Sequence, residues 1–562
     1  MKTSTLLNCL AVLVLGTLVL VTGLPAYAGE PVTPIPPGPE TTLPDYIGAP
    51  AKPHPSPNTG VPQNPLLAPN PFNAAHGDPW QSDAVDIAGP LGLNPEVLSS
   101  TLSEAQGQKY ANTPPWIFDC IVTYFDSYGR PIAVCFSPSE ATVVVADPDT
   151  LEVLAYYPLG VPPGDPIRET GRQALLKSMG AIYSYVDNQY RFHVAAKGNQ
   201  IYSLFEEGTK ENFELKLDES SSFDLSQVIT DPKCVIVGLL LDSQGRIWFT
   251  TDASEETPAR VHVLNPAKSM YPYTDVLENS LAFNGELIRN TFALTKTGND
   301  SSAAYVVASK NMYRIDAGPD DKPEIVWSEP YDTVPYDRND EKYVNGTKIG
   351  QYELGSGTSP TILGEGKYVA ITDNAEQLQV VVYRTDEPLD PNEERVVCEV
   401  PVFDFPGGGA GALSNSLIGS RLSIIASNNY GYWFDWKTGT LKQPGAPGLE
   451  RIDIDPDGRG CTKVWVNQEV AQTTAPRLST RTGLIYVISR ELDMSMVDAD
   501  HPFGLDVYYW TAVDFRTGET VWKKLAGTDS MYDSFYTGIG FGPNGALYTG
   551  GYGGFYMLRD TP

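Results

Sequence analysis

The sequence predicts an all-β chain folded as a single β-propeller, and three observations carry that prediction. A strand–turn–strand unit, Ala512-Val-Asp-Phe-Arg-Thr-Gly-Glu-Thr-Val-Trp522, recurs in looser copies from about residue 130 to the C-terminus. From Trp116 onward, short runs rich in Val, Ile, Tyr and Phe alternate with Gly, Asp, Asn and Pro. Sustained helical periodicity is scarce. A repeated unit of this kind cannot bury its apolar face alone and must stack on copies of itself, which a propeller achieves in a ring.

In chain order, Met1 to Ala28 reads as a signal peptide. Lys2 supplies the positive start, Leu10 to Val21 the apolar core, and Ala26-Tyr27-Ala28 a small-x-small cleavage site. The apolar run is short for a bilayer, and no later segment is long and apolar enough to span one. The mature chain is therefore expected to be secreted or periplasmic, with no transmembrane segment after cleavage. Residues 29–72 hold fourteen prolines and few apolar residues, predicting a disordered, partly polyproline-II linker. Residues 73–115 form a lead-in segment, in which Asn94 as cap and Pro95 at the first position predict a brief helix over 95–106.

The propeller is expected over residues 116–562, with blade cores near 132–157, 182–217, 235–264, 292–327, 361–400, 417–454, 464–522 and 539–558. Eight four-stranded blades result, with seven as the alternative. The last group shows three strands, so an N-terminal strand should complete it, and Trp116 to Phe125 is the candidate. One closed ring of this length is one domain.

The formal charge of −30 argues against nucleic acid and anionic membrane surfaces as partners. After cleavage five cysteines remain. In an oxidising compartment Cys120 with Cys135, and Cys398 with Cys461, are the disulfide candidates, while Cys234 reads as a buried free thiol. No Cys-x-x-Cys pair exists, which disfavours structural zinc.

Candidate chemistry lies where polar residues interrupt apolar strands: Asp373 and Asn374 after Tyr368–Ile371, Asn428 and Asn429 after Leu422–Ala426, and Asn467 and Glu469 after Lys463–Val466. Converging at one mouth of the channel, these oxygens would suit Ca²⁺, whereas the alternative is ordinary Asx turn chemistry. Asp453-Ile-Asp-Pro-Asp-Gly458 begins like a calcium loop but has Val464 where the bidentate Glu belongs, and reads as a hairpin turn. His54, His76, His193, His262 and His501 show no metal-binding spacing, and no catalytic base is named. There is no Gly-x-Ser-x-Gly elbow and no phosphate loop. Asn299-Asp-Ser301 and Asn345-Gly-Thr347 are glycosylation sequons.

Ala512–Trp522 resembles the tryptophan-docking repeat of quinoprotein propellers, Ala-x-Asp-x-x-Thr-Gly-x-x-x-Trp. Partial likenesses stand at Phe434–Thr440 and Ala146–Thr150. Gly238-Leu-Leu-Leu-Asp-Ser-Gln-Gly-Arg-Ile-Trp-Phe249 is similar to the hairpin of SMP-30/gluconolactonase/paraoxonase-like and NHL-type propellers. Gly355–Thr361, Ile371–Asn374, Asn428–Tyr432 and Gly550–Phe555 look like segments of exported bacterial propeller proteins, a likeness that implies a fold and no activity. The paraoxonase-like resemblance implies calcium in the channel. The docking repeat builds blades rather than binding cofactor, so PQQ is not expected. Three readings follow: an exported binding or envelope-scaffold propeller whose partner is a small molecule or envelope component, a calcium-dependent lactonase or hydrolase, and, third in rank, a quinone-dependent dehydrogenase. Fold alone cannot choose among them.

Overall fold

The structure is a computed structural model that describes residues 32–102, 119–136, 141–160, 181–254, 256–334, 355–411, 416–435, 440–443, 445–498, 501 and 503–562. Of residues 119, 433–435 and 440–443 only the backbone is described. The leader and Asn345 lie outside the described residues.

Eight antiparallel sheets form the ring. Blade 1 comprises Asp119–Phe125, Pro131–Phe136, Ala141–Ala146 and Val153–Gly160. Blade 2 runs through Tyr185–Val186, Phe192–Ala196, Gln200–Gly208 and Phe213–Leu217. Blade 3 takes Ile236–Leu241, Ile247–Thr251, Ala259–Leu264 and Ser280–Phe283. Blade 4 takes Ala293–Lys296, Ser302–Val307, Asn311–Ala317 and Pro323–Pro330. Blade 5 takes Thr361–Leu363, Tyr368–Thr372, Gln379–Arg384 and Val396–Pro401. Blade 6 takes Ile418–Ser420, Ser423–Ser427, Leu449–Ile454 and Cys461–Asn467. Blade 7 takes Arg477–Ser479, Leu484–Asp493, Leu505–Asp514 and Thr520–Thr528. Blade 8 takes Gly540–Phe541, Leu547–Gly551 and Gly554–Asp560, and its outer strand comes from Pro95–Ser100.

That last strand corrects two expectations. Pro95–Ser100 is not helical. It pairs antiparallel with the final strand, from Pro95↔Asp560 to Ser100↔Phe555. A short isolated helix is marginal in water, and an unpaired strand edge offers a full row of backbone partners instead. Ring closure therefore comes from 95–100, while Asp119–Phe125 is the inner strand of blade 1. Blade 6 also differs: Ser423–Ser427 pairs with Leu449–Ile454, and Trp433–Asp435 forms an inserted hairpin with Thr440–Gln443. Lys463–Val466 belongs to blade 6 rather than blade 7.

The turn chemistry follows the residue types. Asp514 Oδ1 accepts the N–H groups of Arg516 and Thr517 at 2.8 and 2.9 Å, Gly518 has φ +77°, and Trp522 is buried. Asp126, Asp187 and Asp242 each shape the turn between the first two strands of blades 1, 2 and 3. Each also ion-pairs with the arginine four residues on: Arg130, Arg191 and Arg246. The aspartate-rich segment 453–458 is a hairpin turn, with Gly458 N–H bonding Asp455 O at 2.7 Å. Both expected disulfides form, Cys120–Cys135 within blade 1 and Cys398–Cys461 between the outer strands of blades 5 and 6; Cys234 is free and buried.

The proline-rich stretch departs most from expectation. It is extended, but it is packed rather than free. Tyr46–Gly48 adds a strand outside blade 7, pairing with Trp522–Lys524. Ile35, Leu67, Ala68 and Phe72 are buried in the ring's core. Prolines remove N–H donors but leave carbonyl acceptors, so an extended segment can lie on N–H groups of the ring while its few apolar residues fill gaps between blades. No helix among the described residues is long and apolar enough to cross a membrane.

Candidate functional site

The axis of the ring is filled by the chain itself. Carbonyls of the lead-in accept N–H groups of successive inner strands: Asn73 O from Val186 (3.0 Å, blade 2) and Pro79 O from Leu294 (2.7 Å, blade 4). Trp80 O accepts from Ile362 (3.0 Å, blade 5), Ser82 O from Gly419 (2.8 Å, blade 6) and Asp83 O from Leu478 (3.0 Å, blade 7). Ala84–Val85 then runs parallel to Leu478–Ser479. Residues 73–85 thus bond five of the eight blades and plug the channel.

The plug carries a buried polar core. Asp83 Oδ1 lies 2.9 Å from Arg477 Nε, and Asp83 Oδ2 lies 3.0 Å from His76 Nδ1. The other imidazole nitrogen, His76 Nε2, meets Ser359 Oγ at 3.0 Å. Arg477 also donates to Ala75 O at 3.1 Å and lies over the Phe72 ring. Burial alone would raise the Asp83 carboxyl, but Arg477 and His76 outweigh it and hold the group below its ordinary value. At Asp78, burial pushes the carboxyl up to about 7 despite bonds from Ser82 and Trp80. Gln81 and Asp83 have φ of +56° and +50°, backbone that non-glycine residues hold only when surroundings impose it.

Ser359, His76 and Asp83 stand in the order hydroxyl, imidazole, carboxylate, which is the geometry of a nucleophile, its base and an orienting acid. Their exposures are 0, 4 and 0%. An acyl acceptor must meet the serine oxygen, and here protein atoms cover it. The arrangement acts as a lock between lead-in and ring.

The sequence-predicted residues lie apart from this core. Asp373 and Asn374 follow the second strand of blade 5, and Asn428 and Asn429 the second strand of blade 6, so strand direction puts all four on one face of the ring. Asn467 ends the fourth strand of blade 6 and Glu469 follows it, on that face but toward the rim. Asp373 Oδ1 and Oδ2 accept from Gln379 N and Nε2 at 2.8 and 3.2 Å. Asn374 bridges in parallel to Thr333. Asn428 Oδ1 accepts from Tyr430 N at 2.9 Å, and its Nδ2 donates to Gly408 O and Pro447 O. Asn467 Oδ1 accepts from Glu469 N and Val470 N at 2.9 and 3.1 Å. Asn429 is buried with no hydrogen-bond partner at its Oδ1 among the described residues, and Glu469 is exposed. The oxygens of Asp373, Asn428 and Asn467 serve the chain's own donors and are not free for calcium, and Asn429 and Glu469 alone do not make a calcium site. Among the described residues no group of three or more His, Cys, Asp or Glu could hold a metal ion.

His193 and His262 are buried among packed side chains. His193 stacks on Tyr185 and bonds Asp187 at 2.9 Å, while His262 stacks on Phe249 and burial takes it down to about 3. On the same face as Asp373, loops of blades 3 and 4 and Gly355 line an open cleft of about 670 Å³. Sequence reasoning missed the plug. Its signal was present in Phe72–Val85, where prolines thin out and Phe72, Trp80, Ala84 and Val85 accompany His76 and Asp83.

No protein-family model matches the chain. It is 27% identical over 395 residues to an uncharacterized protein of Archaeoglobus fulgidus, covering 66% of this chain and 68% of that one. Among solved structures it is similar to Sqt1 from Chaetomium thermophilum, at 10% identity and TM-score 0.39, covering 89% of this chain and 100% of that one. It is also similar to the β-propeller domain of Cps50 (Swd1) from Myceliophteria thermophila, at 9% identity and TM-score 0.35, covering 80% and 100%. A candidate 6-phosphogluconolactonase of Bacteroides uniformis matches at 12% identity and TM-score 0.34, covering 74% and 99%. Likenesses this distant carry no functional argument.

Proposed function

We propose that the protein is an exported, non-catalytic binding or envelope-scaffold propeller whose ligands meet the loops of one face rather than the channel. The observation that carries this reading is the plug. Where other activities of a propeller would need an open axis, this chain places its own residues 73–85, bonded to five inner strands and buried around Asp83. A packed axis is a rigid hub, and rigid scaffolds present loops for recognition. Two disulfides and an acidic chain suit an oxidising, aqueous compartment.

Metal analysis, an absorption spectrum and a melt in chelator on the purified mature protein test the reading together. The expected result is no stoichiometric calcium after dialysis, no quinone band after reconstitution and an unchanged melt. Tightly held calcium lost in Asp373→Ala would overturn it in favour of the calcium hydrolase.

One specific observation favours a second, hydrolytic reading: the Ser359–His76–Asp83 geometry. A fluorophosphonate probe that labels Ser359, and fails to label His76→Ala, would establish it. An unlabelled serine leaves the lock.

A further inference from the structure

The wall of the cleft between blades 3 and 4 holds a buried carboxyl that forms no ion pair among the described residues. Glu286 lies in its wall and is 8% exposed. Its carboxylate accepts from Lys310 N at 3.1 Å, from Asn311 Nδ2 at 3.0 Å and from Tyr313 OH at 2.5 Å. Burial first, and then the bond to Glu286, push the Tyr313 phenol up, so it remains a donor. All three partners are neutral groups, and no ion pair among the described residues involves Glu286. A carboxylate removed from water without a cation is costly, and interiors normally pair it. Elsewhere this fold pairs some buried carboxylates, as with Asp83 and Arg477 or Asp242 and Arg246, and holds others, Asp78 and Asp533, by neutral donors.

Around Glu286 the lining is small and polar. Ala253, Ser254, Thr257, Gly285, Ser309 and Gly355 leave room, and the volume of about 670 Å³ is within the range of organic-ligand sites. Two further charges stand at the rim, the exposed Glu256 and the exposed Lys310, neither in an ion pair among the described residues. The wall thus presents acidic groups to a cation and one ammonium to an anion.

From the buried Glu286 carboxyl, which forms no ion pair among the described residues, in an open, small-residue cleft that also bears Glu256 and Lys310, we infer a binding site for a zwitterionic ligand of the amino-acid or short-peptide class. The ligand's ammonium faces Glu286 and Glu256, and its carboxylate faces Lys310. The inference rests on the binding reading above and names the ligand class for it.

Calorimetric titration of the full mature protein with tetra-alanine, its N-acetyl form and its C-terminal amide tests the site. Free tetra-alanine should bind, N-acetylation should weaken it at least tenfold, and amidation should weaken it several-fold. Glu286→Gln should abolish the distinction between free and acetylated peptide, and Lys310→Met the distinction between free acid and amide. Should Glu286→Gln fail to fold, the blocked peptides on the unaltered protein, with Glu256→Gln at the exposed rim, still decide. No heat with tetra-alanine at millimolar concentration, or equal binding of all three peptides, overturns the inference. Retention of envelope material that is blind to Glu286→Gln would overturn this site while leaving the binding reading intact.

Discussion

Removing the Asp83 carboxylate should loosen the lead-in from the ring and cost a large part of the domain's stability. Asp83→Ala leaves Arg477, 1% exposed, without its counter-ion, and deprives His76 Nδ1 of its partner 3.0 Å away. Breaking a buried pair on one side costs about 3–5 kcal/mol, and a buried donor left unmade adds about 1–3 kcal/mol. Against a typical domain stability of about 5–15 kcal/mol, the variant should sit at the edge of folding. The double variant Asp83→Asn/Arg477→Met removes both charges and should recover several kcal/mol relative to Asp83→Ala. Urea unfolding monitored by far-UV circular dichroism gives the two free energies, and hydrogen exchange over residues 66–86 locates the loss. If Asp83→Ala unfolds within about 1 kcal/mol of the unaltered protein, or if exchange in 66–86 matches solvent-exposed loops already in the unaltered protein, the plug does not hold the ring as argued.

Two further outcomes follow from buried groups elsewhere. Asp533 joins blades 6, 7 and 8 by accepting from Tyr432 OH (2.8 Å), Tyr508 OH (3.1 Å) and Phe535 N (3.0 Å), and burial raises it from 3.8 to about 6. Its folded value lies above its unfolded one, so its contribution is full below about pH 4 and is lost as pH rises through 6. That change amounts to roughly 3 kcal/mol by pH 7. Urea midpoints at pH 4.5 and 7.5 should therefore converge in Asp533→Asn, and an unaltered pH profile would refute the assignment. Replacing Cys398 and Cys461 by serine opens a loop of sequence separation 63, worth roughly 4 kcal/mol in chain entropy. A melting point unchanged within a degree would show that the link constrains nothing.

How much was legible depended on whether a signal was local. Turn residues act within a few positions, so Asp514 with Gly518, and the Cys398–Cys461 link between neighbouring blades, could be read from residue type and spacing. Blade number followed because each blade repeats that local grammar. Closure did not follow. Whether 95–100 is a helix or a strand depends on the free edge of Gly554–Asp560, more than 450 residues away in sequence, and local propensity carries no trace of it. The plug is hidden for the same reason: Asp83 on the axis meets Arg477 on the inner strand of blade 7, far away in sequence, and neither lies in a motif. The strand-end Asp and Asn residues were found at their places, but side-chain direction decides their chemistry. Asp373 and Asn467 turn to their own backbone neighbours.

The lead-in is therefore best understood as part of the propeller's mechanism of closure, which bears on what the ring can bind. Its segments act at different radii, 73–85 on the axis and 95–100 as the outer strand of blade 8, and residues 46–48 of the proline-rich stretch before it lie outside blade 7. A ligand in the axis would have to displace five backbone hydrogen bonds and the Asp83–Arg477 pair. A ligand in the open cleft beside Glu286 would break none of these contacts and would meet a carboxyl that forms no ion pair among the described residues. With desolvation already imposed by folding, the counter-charge is worth more to a ligand there than at an exposed acid such as Glu469. On the binding reading proposed above, the energetic difference between the two places, rather than the fold, directs recognition to the loop face.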